Sequence, residues 1–414
     1  MKIAFIGDRG IPARYSGFST LVEEVATRLS QDNGFDVTVY CRSAYFSERP
    51  AVYRGVHCIY LPAPGGKNFE SIIHSSLAIM HAVFRRFDLV FIVDPGNAPF
   101  ALPLVLRRVP VVFHTDGLGW KRLKWNRLQR RYYKACEALT ARLGTWLVTD
   151  SRAMQAYYRA EYDRSSSYIP YGSMAGSPPD GMVLSRYSLQ KRGYNLVVAR
   201  MEPENNVELI LREYLDSGLQ RPLLVVGGAR YDSEYYRRVL SLDGGPIRCL
   251  GSIYQSETLN ALYQNCRLYI HGHEVGGTNP SLLRAMGLGA ACLPLNVAFH
   301  REVLGDEAEY FDPIRGSLAR QLRHLDHDEA RIRVLGTLAF HRAVTFYRWD
   351  AVSDAYAALF RAVLRARRDA VPCNHAVVGD VYRPEAFAHA GSESKRWDGA
   401  PEVSTEMFPK ETGK

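Results

Sequence analysis

The chain spells one rhythm twice. Apolar runs of strand length alternate with longer stretches whose apolar residues recur at helical spacing, and a single break separates the two series. In the first series the strand candidates are residues 2–7, 36–41, 56–61, 89–94, 109–114, 145–149 and 167–170, with helical periodicity over 18–30, 70–86 and 122–143. Runs that are apolar on both faces predict a parallel sheet covered by helices on both sides. The break, Tyr171 to Gly181 (YGSMAGSPPDG), has turn-forming composition and no period, as a linker does. The second series places strands at 196–200, 223–227, 247–250, 268–271, 291–295 and 309–311.

This pattern predicts an α/β chain of two doubly wound Rossmann-like domains, residues 1–175 and 176–350, facing a cleft at the carboxyl ends of their strands. Residues 330–368 read as two long helices, the second opening at Trp349-Asp350. The terminal helix, 351–370, is expected to be able to return to the N-terminal domain. Residues 371–414 lose all periodicity and read as a disordered tail.

A length of 414 residues suits two domains at roughly 150 residues each, and 47% apolar residues suffice for full cores. No apolar run approaches the ~20 residues of a membrane span. The most apolar stretch, 88–114, is broken by Asp94, Pro95, Pro99, Pro103, Arg107 and Arg108. Met1 to Phe5 runs into a strand without a signal-peptide pattern. Seven cysteines are present with no Cys-x-x-Cys pair, and Cys41, Cys58, Cys249 and Cys292 fall in apolar runs, so the expectation is a reduced, cytoplasmic protein. The net charge of +9 is concentrated: residues 1–175 carry 23 basic against 14 acidic side chains, and 176–414 carry 29 of each.

The clearest chemical signal is His271-Gly-His-Glu-Val-Gly-Gly-Thr-Asn-Pro-Ser-Leu-Leu-Arg-Ala-Met-Gly287. A strand ends at His271, a glycine-rich turn follows, and Pro280 opens a helix that Thr278 or Asn279 can cap. Gly276 and Gly277 permit close backbone approach, and the helix amides suit a phosphate group. An ordinary capped helix would look the same in isolation.

This string resembles the donor-binding region of retaining glycosyltransferases of the GT-B fold, family 4, in its bacterial rhamnosyltransferase-like branch. Further stretches resemble that branch in the same order: Gly7-Asp-Arg-Gly-Ile-Pro-Ala-Arg-Tyr-Ser-Gly-Phe-Ser-Thr20, His114-Thr-Asp-Gly-Leu-Gly-Trp-Lys-Arg122, Arg200-Met-Glu-Pro-Glu-Asn-Asn206 and Arg301-Glu-Val-Leu-Gly-Asp306. The resemblance implies transfer of a sugar, rhamnose or another hexose, from a nucleotide diphosphate donor with retention and without a metal or cofactor. It puts the donor mainly in the second domain and the acceptor mainly in the first. Arg200 and the Gly277, Thr278 and Asn279 amides are then expected to meet the diphosphate, where leaving-group charge develops. Gly17 would add an amide from the other domain, with Gly276, Glu274 and Arg284 completing the donor side. Arg9, Tyr15 and Asp116 are expected on the acceptor side, and His114 against the transferred sugar. Asp326-His-Asp328 has the spacing of metal-dependent transferases but lies in a polar helical stretch, so a solvated face is the reading there.

Two positions depart from the family. Its pair of glutamates eight apart falls on Gly276 and Arg284, and Gly119 stands where the branch carries Glu. Glycine at the first position is common in the branch. Arginine offers no acceptor to ribose hydroxyls; losing such a charged hydrogen bond costs about 1.5–3 kcal/mol, roughly 10- to 100-fold in affinity.

The segment Lys121 to Lys134 holds seven Lys/Arg and no acid, interleaved with Trp125, Leu128, Tyr132 and Tyr133. Lys121, Lys124, Trp125, Arg127, Arg130 and Arg131 are the expected contacts to an anionic membrane surface; a plain solvated helix face is the alternative, and nucleic acid is disfavoured because no base-reading motif accompanies the charge. The combined expectation is a cytoplasmic enzyme at the inner membrane face, extending a lipid-linked or polysaccharide glycan in envelope or exopolysaccharide biosynthesis. A catalytically impaired GT-B scaffold that binds a partner glycosyltransferase or glycan is the alternative. Gly7-Asp-Arg-Gly10 lacks the Gly-x-Gly-x-x-Gly spacing of a Rossmann oxidoreductase.

Overall fold

A computed structural model describes residues 1–382 apart from 14–16, 33, 65, 123–124, 175–180 and 230–231. The first domain is built on an eight-stranded sheet of β1 (Lys2–Ile6), β2 (Asp36–Arg42), β3 (Val52–Tyr53), β4 (Val56–Leu61), β5 (Leu89–Val93), β6 (Val111–Thr115), β7 (Trp146–Thr149) and β8 (Ser167–Tyr168). Their order is β3-β4-β2-β1-β5-β6-β7-β8, parallel throughout except for β3, which pairs antiparallel with β4. The second domain has β9 (Asn195–Val198), β10 (Leu223–Val226), β11 (Ile247–Gly251), β12 (Tyr269–His271) and β13 (Cys292–Pro294), all parallel, in the order β11-β10-β9-β12-β13.

The two-sided strands explain the layering. In β5 all five residues of Leu-Val-Phe-Ile-Val are buried. Phe91, with Val112 of β6, packs beneath the helices Gly17–Asp32 and Trp349–Arg368, while Val90 and Ile92 pack beneath the helices Gly66–Phe84, Leu102–Leu106 and Arg127–Leu143. Side chains alternate across a strand, so one apolar run serves two helical layers.

The helix Trp349–Arg368 leaves the second domain and lies along Gly17–Asp32 of the first. Its Phe360 sits 5.6 Å from the Phe91 ring and 6.2 Å from Phe5, and Asp350 pairs with Arg28 at 3.1 Å. Trp349 rests on Gly172, where any Cβ would collide with the indole.

Three expectations need correction. The helix expected over 122–143 begins only at Arg127, because Asn126 and Gln129 form a reciprocal capping box with bonds of 2.9 and 3.0 Å. The strand expected at 309–311 is a single bridge from Phe311 to Leu295. The tail expected from 371 starts as ordered chain: His375–Val378 is a short helix, Val378 and Tyr382 are buried, and the Tyr382 hydroxyl donates to the Phe346 carbonyl. Residues 383–414 lie outside the described residues.

Phe360 is fully buried and joins the last helix to the first domain. Replacing it with Ala should destabilise the protein by about 3–5 kcal/mol, read as a lowered midpoint of urea unfolding.

Candidate functional site

The carboxyl ends of both sheets meet at a cleft of about 650 Å³, within the ordinary range for a small-molecule site. On the first-domain side, strand ends deliver aspartates repeatedly: Asp8 after β1, Asp94 after β5, Asp116 after β6 and Asp150 after β7, all lining the cleft. On the second-domain side, Arg200 follows β9, and the turn after β12 presents Val275 to Ser281 and then Arg284.

The glycine-rich turn is pressed against the first domain. Gly276 has φ +149°, a conformation that favours glycine. A Cβ on Gly117 would collide with the Gly276 backbone, and one on Gly277 would land on the Asp150 carboxylate. Thr278 Oγ1 donates to the Asp150 carbonyl. A Cβ on Gly17 would come within 2.9 Å of the Pro280 ring. Asn279 caps the helix Pro280–Gly287, its Oδ1 accepting from Ser281 N at 3.1 Å and Ser281 Oγ at 2.8 Å.

Gly17, Gly276, Gly277, Thr278, Asn279, Arg200 and Arg284 therefore share one cleft with Arg9 and Asp116. Arg9 also covers the Tyr45 ring at 4.9 Å. The Arg284 guanidinium is held on the wall by Asn260 Oδ1 at 2.7 Å and the Ser256 carbonyl at 3.0 Å, and burial lowers its pKa.

Two expected residues lie elsewhere. His114 is not among the residues that line the cleft but lies behind Phe18 and Tyr171, which do: β6 runs one residue further than expected, to Thr115, and keeps His114 within the sheet on the face of Val112. It is fully buried among Phe18, Phe91, Tyr171 and Tyr356; Nδ1 bonds the Tyr356 hydroxyl at 2.9 Å, and burial lowers its pKa to about 3. It is a neutral core histidine, and Asp116 takes the strand-end position. Glu274 is exposed, outside the cleft lining, and accepts from Asn206 Nδ2 at 3.3 Å.

The basic segment is divided. Arg122 turns into the cleft, 3.8 Å from Asp116. Trp125 also lines the cleft rather than the outer surface, stacking on Tyr133 at 5.2 Å. Lys121 lies over the Trp120 ring at 5.5 Å, and Lys134 pairs with Glu137 and Glu161 at 3.0 Å each. Arg130 Nε donates to the Trp125 carbonyl at 3.1 Å. Arg127 and Arg131 stay exposed on the helix. Tyr15 and Lys124 lie outside the described residues. Asp326 pairs with Arg221 at 3.2 Å and Asp328 caps a helix at Arg331 N, 2.8 Å, so that pair is structural.

Sequence reasoning passed over Asp94, Asp150, Arg122, Trp120, Tyr133 and Glu204. The aspartates were legible, since each directly follows an apolar run, the rule that singled out Arg200. Glu204 had no such signal. It is 3% exposed, lines the cleft, and neither carboxylate oxygen has a hydrogen-bond partner.

Electrostatically the first-domain wall is tense. Burial pushes Asp116 up to about 6 against the pull of Arg122, with a further push from Asp94. Burial, then Asp116 and Glu302, raises Asp150 well above the carboxylate range. Burial opposes the Arg122 charge, but Asp116, Asp94 and Glu204 hold its pKa above the ordinary value. His273, on the opposite wall, is kept neutral, lowered to about 3 by burial and by Arg200. Among the described residues no group of three or more His, Cys, Asp or Glu is arranged to hold a metal ion.

Comparison with known proteins bears on this geometry. Sucrose-phosphate synthase from Thermosynechococcus elongatus superposes with a TM-score of 0.74 at 18% identity, over 88% of this chain and 99% of that one. HepE from Anabaena, solved in complex with UDP-glucose, superposes at 0.67 with 13% identity, over 89% and 100%. The fold is GT-B. Residues 1–174 match the model of a domain of unknown function, DUF1972. O-antigen chain mannosyltransferase B of Escherichia coli is 29% identical over 155 residues, 36% of this chain. The chain spans only 39% of that relative's length. No helix among the described residues is long and apolar enough to cross a membrane.

Two outcomes follow from the seam and the wall. Gly277→Ala must push the turn off Asp150 and should weaken binding of any ligand held by this turn by at least ~10-fold, measured by calorimetry. The folded Asp116 carboxyl keeps its proton to about pH 6, whereas an unfolded one loses it near ~3.9. Stability from this group is therefore full below about pH 4 and lost as pH rises through about 6. Asp116→Asn should unfold at higher urea than the parent at pH 7, with the difference vanishing toward pH 4.

Proposed function

We propose that the chain is a retaining glycosyltransferase that moves a hexosyl group, rhamnose, mannose or a related sugar, from a nucleotide diphosphate to a hydroxyl of a lipid-linked or polysaccharide glycan. The observation that carries this reading is the interdomain cleft in which a glycine-rich turn and capped helix start share one lining with Arg200. A diphosphate is the ligand such a lining suits: backbone amides and a guanidinium fork can only donate, and a diphosphate can only accept. The UDP-glucose in the HepE complex supports the same class of donor.

In the proposed reaction the bond from the sugar C1 to the diphosphate oxygen breaks, and the acceptor oxygen bonds to C1 on the face the diphosphate leaves. The acceptor's hydroxyl proton departs with the nucleoside diphosphate. Arg200 and the turn amides stabilise the charge on the departing oxygens, which is where preorganised donors lower the barrier; no resident metal is assigned to this step. The acceptor would lie on the first-domain wall, where Trp120, Trp125 and Tyr133 supply flat apolar surface and Asp94 and Asp116 can accept from sugar hydroxyls, with Glu204 facing them from the second domain. The mannosyltransferase relative, named for O-antigen, supports an envelope glycan. Arg284, donor-only and braced by Asn260, favours a base or phosphate oxygen over ribose hydroxyls as its partner.

A calorimetric panel of nucleoside diphosphates and nucleotide sugars, followed by transfer to a glycolipid acceptor, tests the reading. At least one diphosphate should bind, and Arg200→Ala should weaken it roughly 10- to 100-fold. Absence of binding across the panel would overturn it. Tighter binding in Arg284→Glu, with no transfer by the parent, would favour an impaired scaffold instead.

A further inference from the structure

The C-terminal part of the helix Gly66–Phe84, from Leu77 on, is mostly apolar on the face that meets the sheet and again on the face that does not. Ala78, Ile79 and Ala82 are buried. Leu77, Met80 and Phe84, spaced at i, i+3 and i+7, point outward, Phe84 with 73% of its surface exposed. A helix apolar all round is normally covered on both sides. Its neighbour Leu102–Leu106 repeats the arrangement: Leu104 is buried, while Leu102 and Leu106 are exposed, Leu106 at 75%. On the third helix of this layer, Arg127–Leu143, Leu128 is 76% exposed and Tyr132 is half-exposed; the Tyr132 hydroxyl reaches back to the Gly96 carbonyl at 3.1 Å.

Among the described residues, the charged side chains exposed on these helices and directly at their ends are arginines. Each of the first two helices runs straight into an exposed arginine pair, Arg85-Arg86 and Arg107-Arg108, and the third exposes Arg127 and Arg131. The acids of these helices are turned inward: Glu70 is buried against Arg42 at 3.1 Å, and Glu137 is buried under Lys134, Tyr157 and Tyr162. Residues 95–108 contain no acid. Asp88, next along the chain, accepts the Lys2 backbone N–H at 2.8 Å.

We propose that this outer helical layer of the first domain docks on an anionic lipid bilayer, with the apolar faces in the headgroup boundary and the arginine pairs on lipid phosphates. Large exposed apolar surface marks an interface, and apolar side chains flanked by arginines suit an anionic bilayer surface, each charge contributing about 1 kcal/mol at low salt. A second copy fits poorly, since a two-fold contact would set six arginines against the same six. The contact shares Arg127, Leu128, Arg131 and Tyr132 with the one expected over 121–134 and adds the two preceding helices, while Arg122, Trp125 and Lys134 of that segment are engaged within the fold. It also reaches the site: the helix carrying Leu128 begins two residues after Trp125, which lines the cleft. A bilayer on this layer would bring a lipid-linked substrate to the cleft rim.

The inference goes beyond sugar transfer and is read without any donor, so the two can fail separately. The full chain is sedimented with vesicles of phosphatidylcholine alone and of equal phosphatidylcholine and phosphatidylglycerol. Partition onto the anionic vesicles should fall with added salt. Phe84→Ser combined with Leu106→Ser should lower it by about 10-fold. Gln at Arg85, Arg86, Arg107 and Arg108 should lower it by roughly 100-fold or more. All changes are at exposed positions, and an unchanged melting temperature verifies that each variant is folded. Equal partition of parent and folded variants would overturn the proposal. So would indifference to phosphatidylglycerol, or a parent dimer in light scattering that Phe84→Ser dissociates.

Discussion

Gly277 meets Asp150 with no space for a side chain between them, and the molecule is organised around that contact. It requires glycine on the second-domain turn and a buried carboxyl at the end of β7, and it fixes how far apart the two sheets sit. Gly117 against Gly276, and Gly17 against Pro280, repeat the same backbone-close approach a few residues away. With the seam set, the cleft inherits its lining from whatever follows each strand. The last helix ties the arrangement from behind: Trp349 rests on Gly172, Ser173 N bonds the Tyr347 carbonyl at 2.5 Å, and Tyr356 reaches His114.

The seam has an electrostatic consequence. Closing the turn over Asp150 removes water from a wall that already holds Asp94 and Asp116 and faces Glu204 of the second domain, and desolvation drives the aspartates toward their neutral forms. A neutral carboxyl donates as well as accepts, so the wall can pair with hydroxyl groups in either sense. It also repels a neighbouring diphosphate less than four full charges would. The arginines Arg9, Arg42, Arg122, Arg200 and Arg284 then supply the positive charge in the cleft, and neutral His273 adds none.

Much of this was legible because parallel sheets write themselves into sequence twice over, as two-sided apolar runs and as functional residues just past them. That rule located Arg200, the glycine turn and Asp116, and applied more widely it also reaches Asp94 and Asp150. What it could not resolve was where a strand ends. Pairing of Thr115 with Thr149 keeps His114 within the sheet, beneath the helices, and leaves Asp116 as the first residue past the strand, where it lines the cleft. Glu204 was hidden for a different reason: it comes from a 3₁₀ turn, Pro203–Asn205, whose direction depends on Asn205 Nδ2 bonding the Arg200 carbonyl at 2.8 Å, a contact without periodic signature.

The excess of positive charge in residues 1–175 divides between two sides of one helical layer, and chain direction explains the division. Helices that cross back to the amino edge of the sheet end there, and Arg85-Arg86 and Arg107-Arg108 fall immediately before β5 and β6, far along the strands from the cleft. Residues that follow β6 start at the cleft, so Arg122 and Trp125 are drawn into it by Asp116 and Tyr133 before the helix at Arg127 carries the chain outward. A basic run in sequence is therefore a poor guide to a basic surface in a doubly wound domain. The arginines that share a face are those placed at equivalent points of successive strand–helix units, about 20 residues apart in the chain.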